Sequence, residues 1–250
     1  EPSMSEAPAI HPESTSPAAS VSSVAALRVP LADELFYSLQ GEGATLGRPS
    51  VFVRLMGCTV GCAWCDTKYS WEGPPVLELS AAEILDYCAG RPGSQVIVTG
   101  GEPLESPACV PLITHLKAAG LRVEVETSGY IEPSAALLGP VDQWNVSPKL
   151  ASAAIAPDKQ PASLGWLWRA KEPYLKFVLH KSGEIAEVDA LLERYGLAEL
   201  PSDRIIISPG GKKFEHMEPR LLPLAEAALE RGFRFTPRLH VILWGDRRAV

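Results

Sequence analysis

This chain lacks a second pair of metal-binding residues. Its five cysteines are Cys58, Cys62, Cys65, Cys88 and Cys109. Three share one short loop, and the other two stand alone. A structural zinc site takes four tetrahedral ligands, usually as two pairs, and no second cysteine or histidine pair follows. The odd count and the absence of a secretory pattern argue against a disulfide framework and for a reducing, cytoplasmic setting. Basic charge is also short: 23 Lys and Arg stand against 30 Asp and Glu, a net −7. That excludes a broad phosphate-binding surface. No basic stripe interleaved with aromatics is visible, so no nucleic-acid partner is expected. Long hydrophobic runs are missing too. None approaches the ~18 residues that span a bilayer, so no membrane partner is expected either.

What is present suffices for a core: 46% of the 250 residues are apolar, enough for one domain. Residues 1–27 are rich in Ser, Ala, Pro and Glu and read as a flexible tail, with Glu1-Pro2-Ser3 a cloning remnant before a native Met4. Residues 28–250 read as a single domain.

Arg28–Leu31 and Glu34–Ser38 read as extended, and Val51–Leu55 as a strand. Ser80 followed by Glu83 forms a capping-box pattern that opens a helix bearing Ile84, Leu85 and Cys88 on one face. Strands are expected at Gln95–Thr99, Arg122–Glu126, Gln143–Val146, Tyr174–Leu179, Arg204–Ser208 and Arg238–Trp244. Helices are expected at about 107–119, closed by Gly120, at 182–195 and at 218–231. Residues 150–172 are the least regular part. Alternating strands and helices imply a largely parallel sheet with right-handed crossovers. About six core strands are too few for a closed eight-fold barrel, so a partial, incomplete TIM-type barrel is expected, with 150–172 covering or replacing a crossover.

In such a fold the ligand site lies at the carboxyl ends of the strands. Polar or glycine-rich tips occur there four times: Arg54 and the cysteine loop, Thr99-Gly100-Gly101-Glu102, Glu126-Thr127-Ser128, and Ser147-Pro148-Lys149. Arg54 is a charge inside an apolar strand, which is costly unless it meets an anion. A substrate anion and a structural carboxylate both satisfy that requirement. Gly100-Gly101 lets backbone approach a ligand closely, or is a plain turn. Thr127 and Ser128 offer hydroxyls to a ligand, or cap a helix. Lys149 holds an anion, or is a solvated lysine. Cys88 reads as a small core residue.

The loop itself, Gly57-Cys58-Thr59-Val60-Gly61-Cys62-Ala63-Trp64-Cys65-Asp66-Thr67, spaces its cysteines C-x3-C-x2-C. Three thiolates fill three irons of a cubane and leave the fourth without a protein ligand, whereas electron-transfer clusters normally have four cysteines. With an aromatic before the third cysteine, the loop resembles that of the radical S-adenosylmethionine superfamily. Together with Leu39-Gln40-Gly41-Glu42-Gly43, Arg54 and the other strand tips, residues 35–150 resemble the 7-carboxy-7-deazaguanine synthase family.

That resemblance implies a 4Fe–4S cluster on Cys58, Cys62 and Cys65, with S-adenosylmethionine on the open iron. The cofactor would meet Trp64, Cys65, Asp66, Gly101, Glu102, Ser128, Ser147, Pro148 and Lys149. A pterin substrate would meet Leu39, Gln40, Gly41, Arg54 and Thr99. Thr67 would contact Mg2+, whose remaining shell water and substrate complete. The implied reaction converts 6-carboxy-5,6,7,8-tetrahydropterin to 7-carboxy-7-deazaguanine with loss of ammonia, begun by hydrogen abstraction from C6, on the path to queuosine. The resemblance further implies a flavodoxin- or ferredoxin-like reductant and a homodimer. His240, expected on the last strand near the mouth, suits substrate binding or a structural role equally. Two rival readings are a glycyl-radical activating enzyme acting on a protein, and a non-catalytic iron–sulfur or zinc module that binds nucleic acid.

Overall fold

The computed structural model describes residues 28–250 apart from 92 and 94; the expected N-terminal tail lies outside the described residues. The strands are β1 (Arg28–Leu31), β2 (Phe36–Leu39), β3 (Pro49–Leu55), β4 (Leu77–Ser80), β5 (Gln95–Gly100), β6 (Val123–Thr127), β7 (Gln143–Val146), β8 (Pro173–Leu179), β9 (Ile205–Pro209) and β10 (Arg234–Phe235). The helices are α1 (Ala81–Ala89), α2 (Cys109–Ala118), α3 (Ala135–Leu138), α4 (Ile185–Arg194), α5 (Phe214–Glu230) and α6 (Leu239–Trp244). The sheet runs β10-β9-β8-β7-β6-β5-β3-β1-β4, with β2 also on β3. From β3 to β10 every pair is parallel, while β1 and β2 pair antiparallel at the β3 end. The result is an open, incomplete barrel.

Alternation along the strands explains where the cavity comes from. Side chains at i and i+2 share a face. On β6, Val123 and Val125 face the helices and belong to the main core, while Glu124 and Glu126 face inward. On β7, Trp144 and Val146 face out, and Gln143 and Asn145 face in. A parallel strand covered on both faces is usually apolar throughout. The polar alternate positions here mark a barrel interior built to hold something polar. The register sets Arg54 beside Thr99 and Leu55 beside Gly100, so the first two tips are neighbours.

The capping box forms as expected. The Glu83 amide donates to Ser80 Oγ (3.2 Å), and the Ser80 amide donates to the Glu83 carboxylate (2.7 Å). Such a cap contributes on the order of 1 kcal/mol and fixes α1 with Ile84 and Cys88 inward.

Residues 150–172 both cover and replace. Between β7 and β8 the chain makes short 3-10 turns instead of a long helix. The Ala63 amide donates to the Ala153 carbonyl (2.8 Å), and Ala153 packs with Val60, Cys62 and Ile155. Trp166, buried, meets Trp144 edge to face at 5.2 Å. The segment is thus the apolar back of the cysteine loop.

One expected element is overturned. Residues 238–244 do not form a strand: Leu239–Trp244 is helix α6. A short apolar run rich in branched and aromatic residues cannot be told from a helix by periodicity. The hydrogen bonds decide. The Val241 and Ile242 amides donate back to the Arg238 carbonyl, and only Val241 of the helix is buried. Helix α5 begins four residues before the expected Glu218 and holds Pro219 and Pro223 inside it.

Candidate active site

The strand tips enclose one cavity of about 880 Å³. Its wall holds Cys58, Cys62 and Cys65 with Trp64, Asp66 and Thr67; Leu39, Gln40 and Gly41; Arg54, Thr99, Gly101 and Glu102; and Ser128, Ser147, Lys149 and His240. Of the residues expected to contact cluster, cofactor, substrate or magnesium, only Pro148 is outside that wall.

The cysteine loop is held from three sides. The Gly57 and Cys58 amides donate to the Ser70 and Trp71 carbonyls (2.9 and 3.0 Å), and the Glu102 amide donates to the Gly57 carbonyl (2.9 Å). The Glu105 carboxylate accepts from the Thr59 amide and hydroxyl and from the Tyr130 hydroxyl. Behind the loop, Gly101 lies so close that an added Cβ would stand 1.9 Å from the Gly57 oxygen.

All three thiols are free. Burial pushes the Cys58 thiol up to about 11 and raises that of Cys62. Iron ligation therefore has to displace thiol protons. Among the described residues, no three His, Cys, Asp or Glu side chains group closely enough to hold one ion. A cubane puts each thiolate on a different iron, so its ligands stand farther apart than those of a single ion. Three free thiols on one loop are the donor set of a cubane with one open iron. The Trp64 indole N–H is buried without a partner, and the Lys149 ammonium lies 5.7 Å from its ring centre. Lys149 leaves a donor beside the loop for a polar cofactor.

Glu102 is fully buried and accepts four hydrogen bonds. The Leu104 amide and Thr127 hydroxyl donate to one oxygen (3.2 and 2.6 Å), and the Ser128 amide and hydroxyl to the other (2.8 and 2.5 Å). Its side chain orients Ser128 and Thr127, both of which line the cavity.

Arg54 meets a backbone carbonyl and a structural carboxylate. Its Nη1 donates to the Gly100 carbonyl (3.3 Å), and its Nε lies 3.6 Å from Asp33, too far for a hydrogen bond. That Nε is buried and unpartnered. Asp33 is also claimed by the Tyr69 hydroxyl (2.7 Å) and by Arg248 (2.6 Å). Two guanidiniums for one carboxylate leave a positive charge in surplus at the cavity wall.

The floor is an acidic network that the sequence reading missed. Glu124 is fully buried and accepts from Gln40 (3.0 Å), Thr45 (2.6 Å), Gln95 (3.1 Å) and Asn145. Gln40 donates its second N–H to Glu126 (3.0 Å), and Thr99 donates to the other Glu126 oxygen (2.9 Å). Both N–H groups of Gln40 are therefore occupied, and toward a ligand its side chain can only accept. The alternation Val-Glu-Val-Glu was the available signal for this floor.

Burial, reinforced by Glu126, pushes the Glu124 carboxyl up to about 7 from 4.5. The folded state then keeps a proton that the unfolded chain releases above 4.5. Stability should fall as pH rises from about 4.5 to about 7, by an amount on the order of 2–3 kcal/mol from this group. Urea unfolding across that range should show the slope in the parent protein and not in Glu124→Gln. The variant carries a constant cost from its misplaced N–H donors.

A second missed set lies above the floor. Burial alone would raise the Glu42 carboxyl, but Lys176 (2.5 Å), Arg238 (2.8 Å) and His240 hold it well below its usual range. Arg238 also pairs with Asp66. His240 sits on α6, its ring packed where a Cβ on Gly41 would fall.

Comparisons agree with this geometry. Residues 53–154 match the family model described as the radical SAM superfamily. A 7-carboxy-7-deazaguanine synthase of Pyrobaculum aerophilum is 41% identical over 86% of this chain and 95% of its own length. The synthase of Escherichia coli K12 is 34% identical, over 84% of this chain and 96% of its own. The crystal structure of QueE from Escherichia coli superposes with a TM-score of 0.65 and 28% identity, covering 85% and 95% of the two chains. The cysteine loop, its glycine cradle and similarity to these relatives over most of the chain make it a member of the 7-carboxy-7-deazaguanine synthase family within the radical SAM superfamily.

Proposed function

We propose that this protein converts 6-carboxy-5,6,7,8-tetrahydropterin to 7-carboxy-7-deazaguanine with loss of ammonia. One observation carries the reading: the cavity that gathers three free thiols also has the Arg54 guanidinium in its wall, sharing its one carboxylate neighbour, Asp33, with Arg248. A carboxylate-bearing small molecule is the ligand that balances this charge. When bound, the cluster and S-adenosylmethionine supply the one-electron cleavage and hydrogen abstraction that begin the ring contraction.

The chain's own residues bind and orient. Cys58, Cys62 and Cys65 hold the cluster. Trp64, Asp66, Gly101, Ser128, Ser147 and Lys149 surround the cofactor, with Glu102 fixing Ser128 from behind. Arg54 takes the substrate carboxylate, and Leu39, Gln40, Gly41, Thr99 and His240 the rest of the pterin. Glu126, on the floor, offers acceptor lone pairs to ring N–H groups. The enclosed polar interior positions one C–H bond and limits water. Residues 28–250 act as one unit, because a single continuous sheet carries every tip.

Thr67 is the Mg2+ contact in this reading. A lone hydroxyl is a poor site, so magnesium should bind only with substrate oxygens completing its shell. A flavodoxin- or ferredoxin-like reductant and a homodimer also belong to the reading. Among the described residues no helix is long and apolar enough to cross a membrane.

The test is anaerobic. Reconstituted protein receives dithionite, S-adenosylmethionine, magnesium and the pterin, and product is followed by mass spectrometry with Cys62→Ala as control. The 7-deazaguanine should form in the parent protein only, and more slowly without magnesium. Cleavage of S-adenosylmethionine without that product would remove the substrate assignment and leave the radical chemistry standing.

A further inference from the structure

Arg238 joins three segments that are far apart in the chain. Its Nε donates to Glu42 (2.8 Å) in the Gln40–Gly43 turn, its Nη1 to the Gly211 carbonyl (2.5 Å) after β9, and its Nη2 to Asp66 beside the last cluster cysteine. It is 9% exposed. The next residue ties down the same turn, the Leu239 amide donating to the Gly41 carbonyl (2.8 Å). The turn serves the substrate and the Asp66 segment serves the cofactor. No other side chain among the hydrogen bonds described here bridges these two segments directly.

From this geometry we infer that Arg238 is a positioning residue which couples the two halves of the site, so that substrate seated on the Gln40–Gly43 turn tightens the cofactor segment at Asp66, and the reverse. The guanidinium is planar and forked, so it can hold two carboxylates at a fixed separation. If either carboxylate shifts, the bidentate tie transmits the shift to the other. Such coupling is reciprocal by linkage. Its use is chemical: hydrogen abstraction needs the substrate C–H and the cofactor held in one register. This role presupposes the pterin reaction proposed above.

The test measures binding without turnover. The reconstituted, unreduced protein is titrated anaerobically with S-adenosylmethionine by calorimetry, with and without saturating 6-carboxytetrahydropterin. The ratio of the two Kd values is the coupling. In the parent protein it should be about tenfold, within the usual range for coupled sites. In Arg238→Lys and Arg238→Gln it should fall to about one, with iron content retained and the cofactor Kd alone changed less than about threefold. Lysine keeps the charge but cannot bridge both carboxylates, so it serves as the decisive variant should the glutamine protein fail to fold.

A ratio near one in the parent protein, with both ligands binding, overturns the coupling alone. A tenfold ratio retained in Arg238→Lys overturns it as well, because one charge would then suffice. Loss of iron in Arg238→Lys makes the residue a structural tie and nothing more. If the pterin gives no binding heat in the parent protein, the proposed function falls and the coupling falls with it.

Discussion

Replacing Gly101 by alanine should strip the protein of most of its iron after reconstitution. Gly101 is not among the glycines with positive φ, so its requirement is for space rather than conformation. The added Cβ would stand 1.9 Å from the Gly57 oxygen, 2.5 Å from its carbonyl carbon and 3.0 Å from the Cys58 Cβ. The first two of these are backbone atoms and cannot rotate away. Either β5 or the cysteine loop has to move, and the loop is the softer. The Glu102–Gly57 hydrogen bond would break and Cys58 would be displaced. Overpacking of this kind costs about 3 kcal/mol, and here the strain falls on a cluster ligand. Iron content, the visible absorption of the cluster and the melting temperature report it. Gly139→Ala is the matched control: φ is −76° and nothing lies within 4 Å of the added Cβ, so it should be neutral or slightly stabilising. A Gly101→Ala protein with full iron would mean that the loop tolerates the intrusion and that the cradle is not needed.

Replacing Arg54 by alanine should raise KM for the pterin by roughly a hundredfold or more. Removing one partner of a buried charge pair costs on the order of 2–5 kcal/mol. Part of that cost is local, because Asp33 loses a neighbour. Arg248 and Tyr69 remain on Asp33, so the structural part is softened and the loss should appear mainly against the carboxylate ligand. The Kd for S-adenosylmethionine should change little. Arg54→Lys keeps the charge but not the planar fork of the guanidinium and should fall between. An unchanged KM in Arg54→Ala would make Arg54 the structural partner of Asp33 and leave the substrate carboxylate without a cation.

The parts legible in the sequence were those written by local rules. Glycine and cysteine spacing mark the cysteine loop. The 2- and 3.6-residue periods placed the parallel strands and α1, α2 and α4, and the strand-end rule gathered Arg54, Gly101, Ser128 and Lys149. Missed features depend on partners distant in sequence. Lys176 and Glu42 are 134 residues apart, and Arg238 and Glu42 are 196 apart. Nothing local marks either pair. The Val-Glu-Val-Glu alternation of β6 carried the acidic floor in plain view, but a charged residue in a strand reads first as solvent-facing. Helix α6 was read as a strand because Leu-His-Val-Ile-Leu-Trp satisfies both periods over so short a run. Its helical state shows in the Val241 and Ile242 amides, which donate back to the Arg238 carbonyl, while the Gly41 carbonyl ties down Leu239.

The Asp66–Arg238 tie has a consequence for how the protein is made. The two residues are 172 positions apart. At ribosomal rates of about 5–20 residues per second, Arg238 follows Asp66 by roughly 10 to 35 s. Through that interval the three thiols have left the ribosome without the anchor that fixes their loop against the substrate turn. Metal delivery to a nascent chain would therefore meet a loop not yet set, and oxidants would meet thiols not yet covered. Loading once Arg238 has closed onto Asp66 is the order of events that this wiring favours.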